Sequence, residues 1–429
     1  MGATGAANNR LSEARGSCHG LLSLQLSEVG WLLIINGLVF ESYLSRVFSA
    51  ASYLDELATL MLAVCALASL LNRGLAGKPF LSPLERGGII ALFALVLIGL
   101  LGGCISGVQL AAKPVLIDII ACVKFPVALL FGFLVFRDKT RLFALLTCEA
   151  KALLLVMIPF AIANQFVDMG MRFDTRYGLH SFQFIFGHPS SLAAVVVGFL
   201  VLFLVDAKRN TLWLAFCWIF LTLSLRSTAI AFAAFSLIVW LTSARKGRIS
   251  AVQIISFAFV ALYFGWSQIQ YYFVEVDGSA RRMLFNVSFQ LADRFFPLGS
   301  GFATYASNIT GQAEYYSPLY AQYGLSSVQG LTIGNTNFLS DSFWPIVIGQ
   351  FGWLGFMVYI FLLLALFIGC IGRLRRRGAS TLPFVMGFSY LVLATMGSSA
   401  FFNPIALFIA VCVAIAVSQQ LFVSTTRKA

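Results

Sequence analysis

Ile89-Ile-Ala-Leu-Phe-Ala-Leu-Val-Leu-Ile-Gly-Leu-Leu-Gly-Gly-Cys-Ile-Ser-Gly-Val-Gln-Leu110 contains no charged residue. As a helix rising 1.5 Å per residue, this stretch is long enough to cross about 30 Å of hydrocarbon. Ala251 to Phe273 reads the same way. Similar runs recur near 21–40, 54–71, 88–110, 115–136, 141–167, 189–205, 211–225, 227–244, 251–273, 342–370, 382–399 and 403–423. The expected fold class is therefore all-α: a single polytopic transmembrane helical bundle over 1–429 with about 12 spans. The seventh and eighth runs are separated only by Ser224 to Thr228, so a tight hairpin at one membrane face is the alternative there.

Composition agrees. Hydrophobic residues make up 59% and charged residues 11% of the chain, against about 25% charged in an ordinary soluble domain. Of the eight cysteines, all but Cys18 lie in or at the ends of apolar runs, where they read as small packing residues rather than a disulfide framework. With three histidines and no Cys-x-x-Cys, no metal site is expected. Arg10 and Arg15 ahead of the first run resemble a signal-peptide leader, and Val47-Phe48-Ser49 loosely resembles a cleavage site. The run is long for such a segment, and the site lies well beyond its end.

Lysine and arginine retained on the cytoplasmic side set orientation. One set of termini and alternate connections holds 19 of them, including Arg86, Arg137, Lys139, Lys208, Arg209 and the Arg373 to Arg377 cluster. The other set holds 8: Arg46, Lys113, Arg172, Arg176, Arg226, Arg281, Arg282 and Arg294. Both termini are thus expected in the cytoplasm, with two sizeable connections outside, 168–188 and 274–341. The net charge of +12 becomes a topological signal, and no basic stripe interleaved with aromatics points to nucleic acid.

Except for Lys113, the outer basic residues are all arginine, whose planar fork of donors matches phosphate oxygens. Arg172, Arg176, His180 and His188 fall within 17 residues, and His188-Pro189 is a helix-entry signal. Arg226 stands between two apolar runs, where a guanidinium is costly unless it meets an anion or a wet cavity. From Arg281 to Phe296 apolar residues recur at helical spacing, as in an amphipathic helix lying along a membrane. Gly299-Ser-Gly301 reads as a plain turn ending it. Tyr315, Tyr316, Tyr320 and Tyr323 suit an interfacial belt or sugar stacking. Asp341 opens a long span, as an N-cap or as a proton acceptor. Glu28, Asp118, Lys124, Glu149 and Lys151 lie within spans, which invites a transporter reading; the alternative is a simple buried pair of Lys124 with Asp118 or Glu149.

In order, Arg176 with Gly187-His-Pro-Ser, Ser-Leu-Arg226-Ser-Thr, Arg282 leading into Phe-Pro-Leu-Gly-Ser-Gly-Phe, and Ser340-Asp-Ser-Phe-Trp before Gly349-Gln-Phe-Gly-Trp-Leu-Gly355 resemble the O-antigen and capsular polysaccharide polymerases, relatives of the O-antigen ligases. The resemblance covers about 170–360. The ligase branch carries a histidine in the segment entering the span after the long loop, where this chain has Asn335-Thr-Asn337 and Asp341. That departure favours a polymerase and leaves a ligase as an alternative.

The resemblance implies a metal-independent, cofactor-free glycosyltransferase of the GT-C type in the bacterial inner membrane, with its chemistry in the periplasm. Donor and acceptor would be glycans on undecaprenyl diphosphate, and a flippase and a chain-length regulator would be assembly partners. Arg226 and Arg282 would hold the diphosphate, with Arg172, Arg176 or Arg281 assisting. Asp341 comes first and His188 second as the residue activating the acceptor hydroxyl. His180, Tyr316 and Asn337 would contact sugars. The competing class is a transporter or flippase of a lipid-linked or amphiphilic substrate, resting on the charges within spans.

Overall fold

The computed structural model describes residues 26–74, 81–137, 139–243 and 279–426. The expected span at 251–273, both chain ends, and positions 274–278 of the long connection lie outside the described residues.

Among the described residues seven helices are long and apolar enough to cross a membrane, and four shorter apolar helices accompany them. In chain order the helices are α1 (Leu26–Val39), the short α2 (Glu41–Val47), α3 (Leu54–Gly74), α4 (Pro83–Ser106), α5 (Ala112–Val135), α6 (Thr140–Phe166), α7 (Pro189–Phe203), α8 (Thr211–Leu223), α9 (Ser227–Ser243), α10 (Ala280–Arg294), the short α11 (Pro318–Gln322), α12 (Trp344–Arg376), α13 (Leu382–Ala394) and α14 (Pro404–Thr426). One antiparallel hairpin, β1 (Arg172–Arg176) and β2 (Leu179–Phe182), interrupts them. The hairpin forms because Tyr177 and Gly178 both take positive φ, the twist a two-residue turn needs.

The expected spans at 211–225 and 227–244 become α8 and α9, two short helices folded back on one another at Ser224 to Arg226. Leu33, Ile90, Phe93, Ile105, Phe166 and Met357 are all more than 60% exposed. Leaving such faces in water would be costly, so they mark the sides that meet lipid.

The bundle has two packed halves. In one, α12 lies along α4 and carries α10 on its other flank; in the other, α14 packs against α5 and α7, and α5 against α3. Aromatics gather where they meet: Phe343, Tyr359, Phe401 and Phe402 are in mutual ring contact. At the end opposite the hairpin, Ser82 and Glu85 form a capping box on α4, and Glu85 also accepts from Arg373 Nη2 at 2.8 Å. Arg373, counted in sequence as a loop charge, is thus a buried residue of α12, its guanidinium over the Phe133 ring.

Two expectations about 281–301 need correction. The apolar face of α10, from Leu284 through Val287 to Leu291, is buried against α12 rather than laid on lipid. Gly299-Ser-Gly301 is no surface turn: it begins a strut running into the bundle between α4 and α12. Gly352 breaks the helical geometry of α12 with φ 61° and ψ −168°, which frees backbone groups for the strut. Ser300 N and Gly301 N donate to Gly349 O and Gln350 O at 3.0 and 2.8 Å, and Leu354 N donates to Pro297 O at 3.2 Å. Backbone away from water needs such partners, and irregular chain is tolerated at membrane depth only when buried in protein.

Candidate functional site

The hairpin, the entry to α7, the α8–α9 turn, the start of α10 and the entry to α12 converge at one end of the bundle. His188 caps α7: its Nδ1 accepts from Ser190 N at 3.1 Å, with Pro189 at the first helical position. The tight α8–α9 turn places Leu225 at φ 51° and sends Arg226 toward the hairpin.

Arg226 organises the site. Its Nη2 lies 3.3 Å from His188 Nε2, its Nη1 lies 3.9 Å from Asp174 Oδ2, and the guanidinium sits 4.7 Å from the centre of the Phe173 ring. Phe173 meets the His188 ring edge-on. On the other side Arg281 Nη2 donates to Asp341 Oδ2 at 3.1 Å. The Asp341 carboxyl feels Arg226 as well, which joins the two clusters into one electrostatic unit.

The environments separate the titrating groups. Burial pushes Asp341 above the usual carboxylate range, opposed by Arg281 and Arg226. Burial also raises Asp174, but the Ser181 hydrogen bond and the charges of Arg226 and Arg176 overcome this and hold it low. His188 is pushed down to about 4 by burial and by Arg226, against the opposing charge of Asp174. At neutral pH the site therefore presents arginine charge beside a neutral imidazole and a paired carboxylate. Such an array suits an anion with phosphate-like oxygens.

Of the residues singled out in sequence, Arg226, His188, Asp341 and Arg281 come together. Arg176 stands at the rim, 42% exposed and bound to Asp174 Oδ2 at 2.8 Å. Arg172 turns away: its Nε donates to Asn164 O at 2.7 Å, locking the hairpin to the end of α6. His180 is on the hairpin but outside the cluster, with Nδ1 2.9 Å from Thr175 Oγ1. Tyr316 donates its hydroxyl to Leu331 O at 2.6 Å and so supports the connection's own fold. Asn337 is exposed four residues before Asp341. Arg281, rather than Arg282, carries the contact with Asp341; Arg282 donates through its backbone N to the α10 cap Ser279.

Three residues had not been given a role. Phe173 and Asp174, adjacent on β1, both meet Arg226, beside an irregular register between Arg172 and Thr175 that no alternation in the sequence announces. Arg46 of α2 lies against Gly187, where a Cβ would stand 2.7 Å from its Nη2; nothing in its local sequence points there.

The charges within spans have other partners than expected. Lys124 pairs with Asp55, not with Asp118 or Glu149. Asp118 accepts from Ala303 N at 2.7 Å and so anchors the strut. Among the described residues no group of three or more His, Cys, Asp or Glu side chains is placed to hold a metal ion. Compared with protein-family models, with curated proteins and with solved structures, the chain has no match in any of the three.

Proposed function

We propose that this protein is a membrane glycosyltransferase of the polysaccharide-polymerase type, transferring a glycan from a lipid diphosphate to a hydroxyl of a second lipid-linked repeat unit. The observation that carries this reading is the gathering of Arg226 and Arg281 around a half-buried carboxylate, Asp341, beside neutral His188. The fuller architecture belongs to the same proposal. Eleven apolar helices (seven long and four short), with the uncharged stretch 251–273, make about twelve passages. The hairpin end faces the periplasm of a bacterial inner membrane, and both termini face the cytoplasm.

In the reaction, the acceptor hydroxyl oxygen attacks the anomeric carbon of the donor, the bond from that carbon to the diphosphate oxygen breaks, and the diphosphate departs with the electron pair. Arg226 and Arg281 are fixed donors where that negative charge develops, which is the arrangement that lowers such a barrier. An arriving diphosphate competes with Asp341 for Arg281. Released from its partner, the half-buried carboxylate becomes a better base and takes the hydroxyl proton. Arg46 and Arg176 add charge at the rim. The roles of Asp118 as a strut anchor and of Lys124 in an ion pair supply a structural reason for the charges on which a transporter reading rested.

The test is polymer length on gels from cells lacking the native gene, complemented at matched membrane levels. Arg226→Ala, Arg281→Ala and Asp341→Asn should each abolish long chains while single repeats still reach their final carrier, with turnover falling by about 10²–10³-fold for the arginines. Arg282→Ala should retain long chains. Disappearance of all glycan from the outer surface in the arginine variants would replace this reading with transport.

A further inference from the structure

A cavity of about 190 Å³ opens between α2, α3, α5, the strut and the start of α14. It is several times the roughly 30 Å³ that a water molecule occupies in the liquid, room for a sugar ring. A space left by apolar packing would be dry and lined by apolar groups. This one has the Lys124–Asp55 pair and Asp118 along one wall, with Asn308 and Gln312 on the strut side. The lining also carries Glu56 and Ser307, whose side chains lie beside Asp55 and Asp118 and add to its polar character.

The cavity is coupled to the arginine site by two short links. Ser399 lines it, and Ser399 N donates to the carbonyl of Ser340, the neighbour of Asp341, at 2.8 Å. Glu41 lines it from one end of α2, while Arg46 at the other end of that helix lies against Gly187 beside His188. The Glu41 carboxyl is raised to about 8 by burial and by Asp55, with Lys124 opposing, so near neutral pH it is protonated and can both donate and accept. Carboxyl, amide and hydroxyl groups with Tyr53 at the lining form the donor and acceptor set that reads a polyhydroxylated ring.

We propose that this cavity is the acceptor-sugar subsite, holding the terminal ring of the acceptor repeat between Asn308, Gln312 and the Asp55–Lys124 pair and presenting its hydroxyl toward Asp341. The inference rests on the glycosyltransferase reading and adds where the acceptor sits. It is tested with the full chain in lipid nanodiscs and two probes: the free oligosaccharide repeat released from the source cell's own surface polysaccharide, and undecaprenyl diphosphate carrying no glycan.

Gln312→Ala, at an exposed position, and Ala121→Leu, which narrows the cavity from its α5 wall, should each weaken oligosaccharide binding by about tenfold or more. Neither should change undecaprenyl diphosphate binding, which Arg226→Ala should abolish, and thermal transitions should match wild type. Oligosaccharide binding that is absent, or unchanged in both variants, while the lipid diphosphate still binds through Arg226 overturns the subsite and leaves the proposed function standing. Cavity-dependent oligosaccharide binding together with lipid diphosphate binding indifferent to Arg226 keeps the sugar site and removes the polymerase.

Discussion

His188 shows how one residue's setting decides its chemistry. Its two ring nitrogens face two donors, Ser190 N–H and the Arg226 guanidinium, yet a neutral imidazole has one acceptor nitrogen. A second proton would put a cation beside a cation in a partly buried place, which is why the ring is held down to about 4. The unfolded chain, with an ordinary histidine near 6.5, binds that proton more readily. The His188 contribution to folded stability therefore falls as pH drops from about 6.5 toward 4 and is level above that window. In His188→Asn, which keeps a capping side chain, the melting temperature measured from pH 4.5 to 7.5 should lose much of this slope. An unchanged slope would place the titration elsewhere. Asp341 is the stronger base candidate, because pairing with Arg281 leaves its proton affinity open to control by the incoming anion.

At the scale of elements, the strut and the broken helix α12 depend on each other. Gly301 stands directly against the Gly103 backbone of α4, with φ 93°. A methyl group there would have to push two backbones apart, and the left-handed conformation adds strain. Gly301→Ala should lower the yield of folded protein in detergent and the melting temperature, whereas Gly103→Ala, where an added Cβ has only a 3.9 Å neighbour, should be tolerated. Equal damage from both would mean that the strut is not wedged as described. Because Asp118 of α5 and Gly349 and Gln350 of α12 tie the strut to two helices, its loss should also displace the lining of the cavity beside it.

At the scale of the molecule, the hairpin end and the opposite end differ in the charge they carry and in what that charge touches. Arginines at the hairpin end gather on carboxylates, a histidine and an aromatic ring in one cluster, whereas at the opposite end Arg373 is paired singly with Glu85 and Lys208 and Arg209 are exposed. With Cys104 and Cys148 replaced by serine, Tyr177→Cys should react in intact inner-membrane spheroplasts with a charged maleimide that cannot cross the bilayer. Arg209→Cys should react only after permeabilisation. The reverse pattern would invert the proposed topology and remove the periplasmic assignment with it.

The residues themselves determine the helical membrane character, because hydrocarbon admits only long uncharged segments whose backbone bonds close internally; such runs are visible one at a time, as Ile89 to Leu110 is. That Arg176, Arg226 and an arginine of the pair 281–282 share one end of the bundle was likewise legible, since retained charge is counted by position along the chain. Which arginine of the pair 281–282 meets Asp341 was not, because adjacent helical residues point about 100° apart and only the seating of α10 on α12 selects one. The pairing of Lys124 with Asp55, the descent of Gly299 to Gly301 into the bundle and the approach of Arg46 to Gly187 join segments far apart in the chain. Tertiary packing alone decided these, because contacts between distant segments depend on how whole helices dock and leave no periodic trace in the residues that make them.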